Sequence, residues 1–274
     1  MLLAFDVGNT DTVLGVFRGH DLVRNWRIST ETNKSADEYG MLVGQLFAYE
    51  NISMEDVDDV IISTVVPSLM FTLQHMAVKY FGKPAIVIES GVRTGLIVKY
   101  DNPKQIGADR IVNAVAAVDK YGGPLIIIDF GTATTFCAIS DKGEYLGGSI
   151  APGLRISSEA LFEKTSKLPK VEIEDPGSAI CKNTTESMQA GLVYGHMGIV
   201  DYIVRRMKGE MKKLIGDRRI IVVATGGMAT LVASGVDCID HIDKLLTLEG
   251  LEIIYEKNKK TSRGRYSGKQ DADA

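Results

Sequence analysis

Two aspartates are the first sign of chemistry in this chain. Asp6 closes the apolar run LLAF and is followed by Val7-Gly8-Asn9-Thr10. Asp129 closes LIII and is followed by Phe130-Gly131-Thr132-Ala133-Thr134. A carboxylate at the end of a buried strand is costly unless a cation or hydrogen-bond donors satisfy it. Turns built from glycine and small hydroxyl residues expose backbone N–H groups and let phosphate oxygens approach closely. Like charges repel, so each aspartate must reach a phosphate through a metal ion or a water. Magnesium suits that role, because it keeps several waters and bridges a carboxylate to phosphates. The plainer alternative is that each aspartate only stabilises its own turn by accepting backbone hydrogen bonds. For one copy the two readings stand level; two copies at matched places favour the phosphate reading.

Two further segments carry chemistry. Thr225-Gly226-Gly227-Met228 follows the run RIIVVA and opens a helix. A Gly-Gly pair there permits close approach by a planar ligand and leaves a helix N-terminus free for an anion. The segment Gly107-Ala108-Asp109-Arg110 leads into the helical pattern IVNAVAAVDKYG. Asp109 is either a first-turn acid favourable to the helix dipole or a general base that accepts a proton from an attacking hydroxyl. Arg110 either pairs with Asp109 or holds a carboxylate on a substrate.

The elements that position these residues repeat. Leu2–Phe17 (LLAFDVGNTDTVLGVF) and Leu125–Ser140 (LIIIDFGTATTFCAIS) align at a spacing of 123 residues, matching Asp6 to Asp129, Gly8 to Gly131 and Thr12 to Thr135. Each copy predicts a buried strand, a tight turn and an antiparallel return strand. After the first copy come a third strand (LVRNWRI) and a helix opened by a capping box of Ser35 and Glu38. A strand over 60–66, a helix with Pro67 in its first turn and a strand over 84–89 follow. After the second copy come YLGGSI, a helix around 153–165, a long helix from about Thr184 to Leu214, a strand over 219–225 and a last helix. The same order in both halves predicts a duplicated α/β protein. Its divisions are residues 1–101, residues 102–257, and a tail 258–274 without periodicity. Six basic residues between Lys257 and Lys269 read as a solvated disordered terminus rather than an RNA-binding arm.

Composition narrows the function classes. The 274 residues are 45% hydrophobic and 24% charged, with a net charge of -4, which suits a soluble globular protein and argues against a general nucleic-acid or membrane binder. Cys137, Cys181 and Cys238 are far apart in the chain, so a disulfide framework or structural zinc is not expected and a reducing cytoplasmic setting is. The start MLLAFDVGNT reads as a strand rather than a signal peptide. His20, His75, His196 and His241 show no metal spacing and are taken as surface or partly buried residues. Cys137 is taken as core filling.

Taken together, the motifs resemble the type III pantothenate kinases of the acetate and sugar kinase, Hsp70 and actin superfamily. The resemblance runs from Met1 to about Asn258. It rests on DVGNT at 6–10, GADR at 107–110, DFGTATT at 129–135, the GGSI and PG of 147–153, KLP at 167–169, NTTESMQAG at 183–191 and TGG at 225–227. GADR with DFGTATT at this spacing is its most specific part. The resemblance implies two actin-like, ribonuclease H-like domains with a nucleotide cleft between them. It also implies ATP-dependent phosphorylation of pantothenate to 4'-phosphopantothenate, the first step of coenzyme A biosynthesis.

On this resemblance Asp6, Val7, Gly8, Asn9, Thr10, Asp11, Thr12 and Val13 bind ATP phosphates, with magnesium reaching Asp6 through water. Thr132, Gly226 and Gly227 complete the nucleotide contacts. Tyr100, Gly107, Ala108, Asp109, Arg110 and Thr184 line the pantothenate pocket, and Asp109 is the proton acceptor. Asp129 ligates a monovalent cation, potassium or ammonium. Asp11 departs from the family pattern, an extra acid beside the first loop that is either a second metal contact or solvent-facing. The resemblance also implies a homodimer. The apolar residues Met188, Leu192, Met197, Ile199, Val200, Ile203 and Val204 suggest its interface, with Thr184 in a shared pocket. The alternatives are another kinase or ATPase of the superfamily, and a non-catalytic regulatory relative.

Overall fold

The computed structural model describes residues 1–266, with side chains through Lys259. The tail expected to be disordered therefore lies in part, from residue 267 on, outside the described residues. The chain divides into two compact units. One comprises Met1–Gly95, Lys104–Ala116 and the chain from Thr247 on; the other comprises Leu96–Pro103 and Ala117–Leu246.

The first unit is built on a five-stranded sheet. The strands β1 (Leu2–Val7), β2 (Asp11–Arg18) and β3 (Asp21–Ser29) form an antiparallel meander, and β4 (Asp59–Thr64) and β5 (Ile86–Val87) extend it in the order β3-β2-β1-β4-β5. Covered on both faces, β1 needs the unbroken apolar run that the sequence supplies. Its odd residues Leu3, Phe5 and Val7 join Leu14, Val16, Val60 and Ile62 in one core under α1 (Ala36–Tyr49) and α2 (Pro67–Phe81). The capping box is present: Glu38 N–H donates to Ser35 Oγ (3.3 Å) and Ser35 N–H to Glu38 Oε2 (2.8 Å). Pro67 occupies the first helical position of α2, as expected. The opposite face packs α7 (Leu246–Tyr266), whose Leu248 lies against Gly15 of β2. The expected strand over 84–89 reduces to β5, which pairs with β4 through two residues.

The second unit repeats the plan. A six-stranded sheet runs β11-β10-β7-β8-β9-β6, comprising β6 (Ile97–Val98), β7 (Leu125–Phe130), β8 (Ala133–Ile139), β9 (Glu144–Pro152), β10 (Ile221–Thr225) and β11 (His241–Ile242). Strand for strand, β9-β8-β7-β10-β11 repeats β3-β2-β1-β4-β5, the duplication that the internal echo predicts. The parallel pairing agrees, with Asp6 in register with Ser63 and Asp129 with Thr225. The second hairpin is one residue tighter, since Asp6 faces Val13 but Asp129 faces Thr135. Helices α4 (Leu154–Lys164), α5 (Thr184–Ile215) and α6 (Ala229–Ala233) complete the unit, and α3 (Ala108–Tyr121) begins in the first.

Candidate active site

In the first unit the turn after β1 is tied from below. Gly8 N–H donates to the Asp11 carbonyl (3.0 Å), and the Thr30 hydroxyl donates to the Gly8 carbonyl (2.8 Å). The Thr12 and Thr30 hydroxyls lie 2.8 Å apart. Thr12 is fully buried, so its hydroxyl braces the turn, while Asn9 and Thr10 are exposed above it. Asp11 is paired diagonally across β2 and β3 with Arg27 (3.0 Å), which offsets its charge beside the turn. Asp6, one residue before the end of β1, faces away from the core of α1 and α2.

The same strand ends hold Asp109. Val65, just past β4, donates its N–H to the Val7 carbonyl (3.1 Å). A side chain added at Gly107 would approach Val65 and collide with the Asp109 carboxylate. Glycine at 107 thus leaves room for Asp109 at the N-terminus of α3, near the end of β4. Asp109 Oδ1 is buried without a hydrogen-bond partner, and burial holds the carboxyl above its ordinary range against the lowering influence of Arg110. A desolvated carboxylate is better matched to proton transfer than a solvated one. Arg110 is itself buried.

The second unit gathers the other turn. Gly226 has φ +91, and a Cβ there would stand 2.6 Å from Asp129 Oδ1 and 2.7 Å from the Phe130 backbone. Only glycine fits that position. Gly153, at the N-terminus of α4, packs against the carbonyls of Gly131 and Thr132. Three pieces therefore converge: the Gly131–Thr134 turn, the start of α4, and Gly226-Gly227-Met228. A groove of about 480 Å³ opens beside them, lined by Arg155, Phe162, Lys170, Val171, Ile173 and Met228 among others. Its outer wall is pinned where Gln189 of α5 donates to the Glu172 carbonyl (2.9 Å). Tyr100 lies beside Gly147 and edge-on to Tyr145 (6.2 Å), and Thr184 is exposed at the first turn of α5.

His196, expected to be a surface or partly buried residue, is instead buried against the second turn. It is 4% exposed, lies tilted against Phe130, and shares a 2.9 Å hydrogen bond with the Thr134 hydroxyl inside the second turn motif. Burial holds its imidazole below the ordinary range, and thus neutral. Nothing in its spacing announces this, because the two partners are 62 residues apart.

Among the described residues, no three His, Cys, Asp or Glu side chains cluster to hold a metal, and no helix is long and apolar enough to cross a membrane. The donor set fits magnesium carried in with the nucleotide: one strand-end carboxylate and a turn of backbone N–H groups, in place of an all-protein cage.

Solved structures share this architecture. The chain is similar to a protein assigned as a 2-dehydro-3-deoxygalactonokinase of Sinorhizobium meliloti (TM-score 0.57, 13% identity, 94% of this chain and 99% of that one). It is similar to a protein assigned to the Baf family of transcriptional activators from Campylobacter jejuni (0.55, 18%, 94% and 99%). A third is the activator of 2-hydroxyisocaproyl-CoA dehydratase from Clostridium difficile, with ADPNP bound (0.53, 16%, 100% and 99%). These likenesses show the fold, a duplicated actin-like α/β plan. Residues 2–206 match the type III pantothenate kinases, and the chain belongs to that family. The activity of the family is ATP-dependent phosphorylation of pantothenate in coenzyme A biosynthesis.

Proposed function

We propose that Asp109 activates the primary hydroxyl of pantothenate for in-line attack on the γ-phosphate of ATP held at the Asp6 turn. The observation that carries this reading is the buried Asp109 carboxylate beside Val65, at the strand ends that also hold the Gly8–Thr10 turn. Backbone N–H groups of Asn9 and Thr10 orient the phosphates, while the Gly8 N–H holds the turn closed on the Asp11 carbonyl, and Asp6 anchors the water shell of the magnesium that offsets their charge. Arg110 holds the pantothenate carboxylate, with Tyr100 and Thr184 as further contacts. Thr132 contacts the nucleotide, and the groove beside Gly226-Gly227-Met228 takes the adenosine. Positioning and charge stabilisation then supply most of the rate. A panel of acceptor alcohols in an ADP-release assay tests the assignment. Pantothenate should lead the panel by orders of magnitude; a sugar acceptor leading it, or ADP release indifferent to acceptor, would overturn it.

Asp129 binds a monovalent cation, potassium or ammonium, in this reading. The support is its carboxylate, flanked by Gly226, where any Cβ would intrude. Asp129→Ala should flatten the activation curve in a potassium titration; an unchanged curve would refute the assignment.

We also propose a cytoplasmic homodimer, in keeping with three free cysteines and with the exposed side of α5. Of the residues expected to form the interface, Met188, Leu192, Met197, Val200 and Val204 are buried within their own unit, Ile203 is half-buried and Ile199 is exposed. Gly191, Gly195, Gly198 and Tyr202 of the same helix are exposed as well. A charge at the fully buried Val200 would therefore unfold the subunit. Ile199→Glu is the informative substitution: it should halve the mass seen by light scattering with the fold intact. A fully dimeric variant would place the interface elsewhere.

A further inference from the structure

Ser63 is fully buried in β4, and its hydroxyl has no hydrogen-bond partner. An unsatisfied buried hydroxyl lowers stability, and alanine would remove that penalty at almost no loss of packing. Its place in the fold shows what it serves. Val60 and Ile62 point into the core of α1 and α2, so Ser63 points to the opposite face, the one that carries Asp6. The two residues are register partners on neighbouring parallel strands, and side chains so paired stand side by side. The second sheet repeats the arrangement, because Asp129 is the register partner of Thr225, also buried. Each half of the duplication thus sets a buried hydroxyl next to its turn aspartate.

We propose that Ser63 is a further positioning residue of the nucleotide site, its hydroxyl hydrogen-bonding the water layer that links the Asp6 carboxylate to the bound phosphates. The inference rests on the nucleotide reading above. A hydroxyl both donates and accepts, so it can give a proton to the carboxylate while taking one from a metal-bound water.

The test is calorimetric binding of the non-hydrolysable analogue ADPNP to the full chain, with magnesium and with EDTA, alongside thermal melting without nucleotide. Ser63→Ala should melt at the wild-type temperature or higher. It should bind Mg-ADPNP roughly 5- to 20-fold more weakly, the size expected for one hydrogen bond to a charged assembly. The loss should shrink in EDTA. Ser63→Cys, similar in volume with a weaker donor, should fall between the two and guards against a folding defect in the alanine variant. Unchanged Mg-ADPNP affinity in both variants, or a lowered melting temperature with affinity intact, would overturn the proposal alone. A wild-type chain that binds no ADPNP would overturn the nucleotide reading and this inference with it.

Discussion

Asp109→Asn is expected to lower kcat by roughly 10²–10⁴, the usual worth of general acid–base catalysis, with the KM for ATP nearly unchanged. The amide keeps the shape of the side chain and cannot accept the proton. Two accompanying observables separate this from a folding effect. Burial raises the carboxyl above its ordinary range, so the free enzyme loses activity on the acid side as Asp109 takes up its proton, at a pH above the usual carboxylate range. The asparagine variant should lack that limb. The same shift means that the folded state binds this proton more tightly than the unfolded chain does. Stability then falls as pH rises from the ordinary carboxylate pKa through the raised one. Asp109→Asn should therefore be as stable as the wild type near neutral pH, or more so. Near wild-type kcat at saturating substrates would refute the base assignment.

Asp6→Ala is expected to remove activity at any attainable magnesium concentration. Asp6 is the carboxylate at the Gly8–Thr10 turn to which a phosphate-bound metal can be anchored, since Asp11 is engaged by Arg27. The fold should survive, because Asp6 lies outside the core cluster that Leu3, Phe5 and Val7 join. A magnesium titration with circular dichroism on the same sample checks both statements. Recovery of activity at high magnesium would show that the anchor lies elsewhere.

Asp6 and Asp129 were legible because their signal is local. An apolar run, an aspartate, a glycine and small hydroxyl residues suffice to specify strand, turn and return strand, and repetition 123 residues later removes coincidence. The Ser35 capping box was legible for the same reason. The contacts that finish the site depend on tertiary neighbours. His196 meets Thr134 across 62 residues, and Gln189 reaches the Glu172 carbonyl across 17. The two faces of α5 were unreadable for a different reason. A 32-residue helix with Val200 on one side and Ile199 on the other has apolar positions all round it, and periodicity alone does not say which side its own sheet covers. Ser63 shows the same limit: it reads as one more small residue in VIISTVV until the register places it beside Asp6.

The central claim is tested most directly by mass spectrometry of the products formed when the purified chain is incubated with ATP, magnesium, potassium and pantothenate. The account predicts that pantothenate gains one phosphoryl group on its primary hydroxyl, with ADP formed in equal amount and neither product formed by Asp109→Asn on the same timescale. ADP appearing without phosphopantothenate, or pantothenate left unmodified by a chain that binds both substrates, would contradict it.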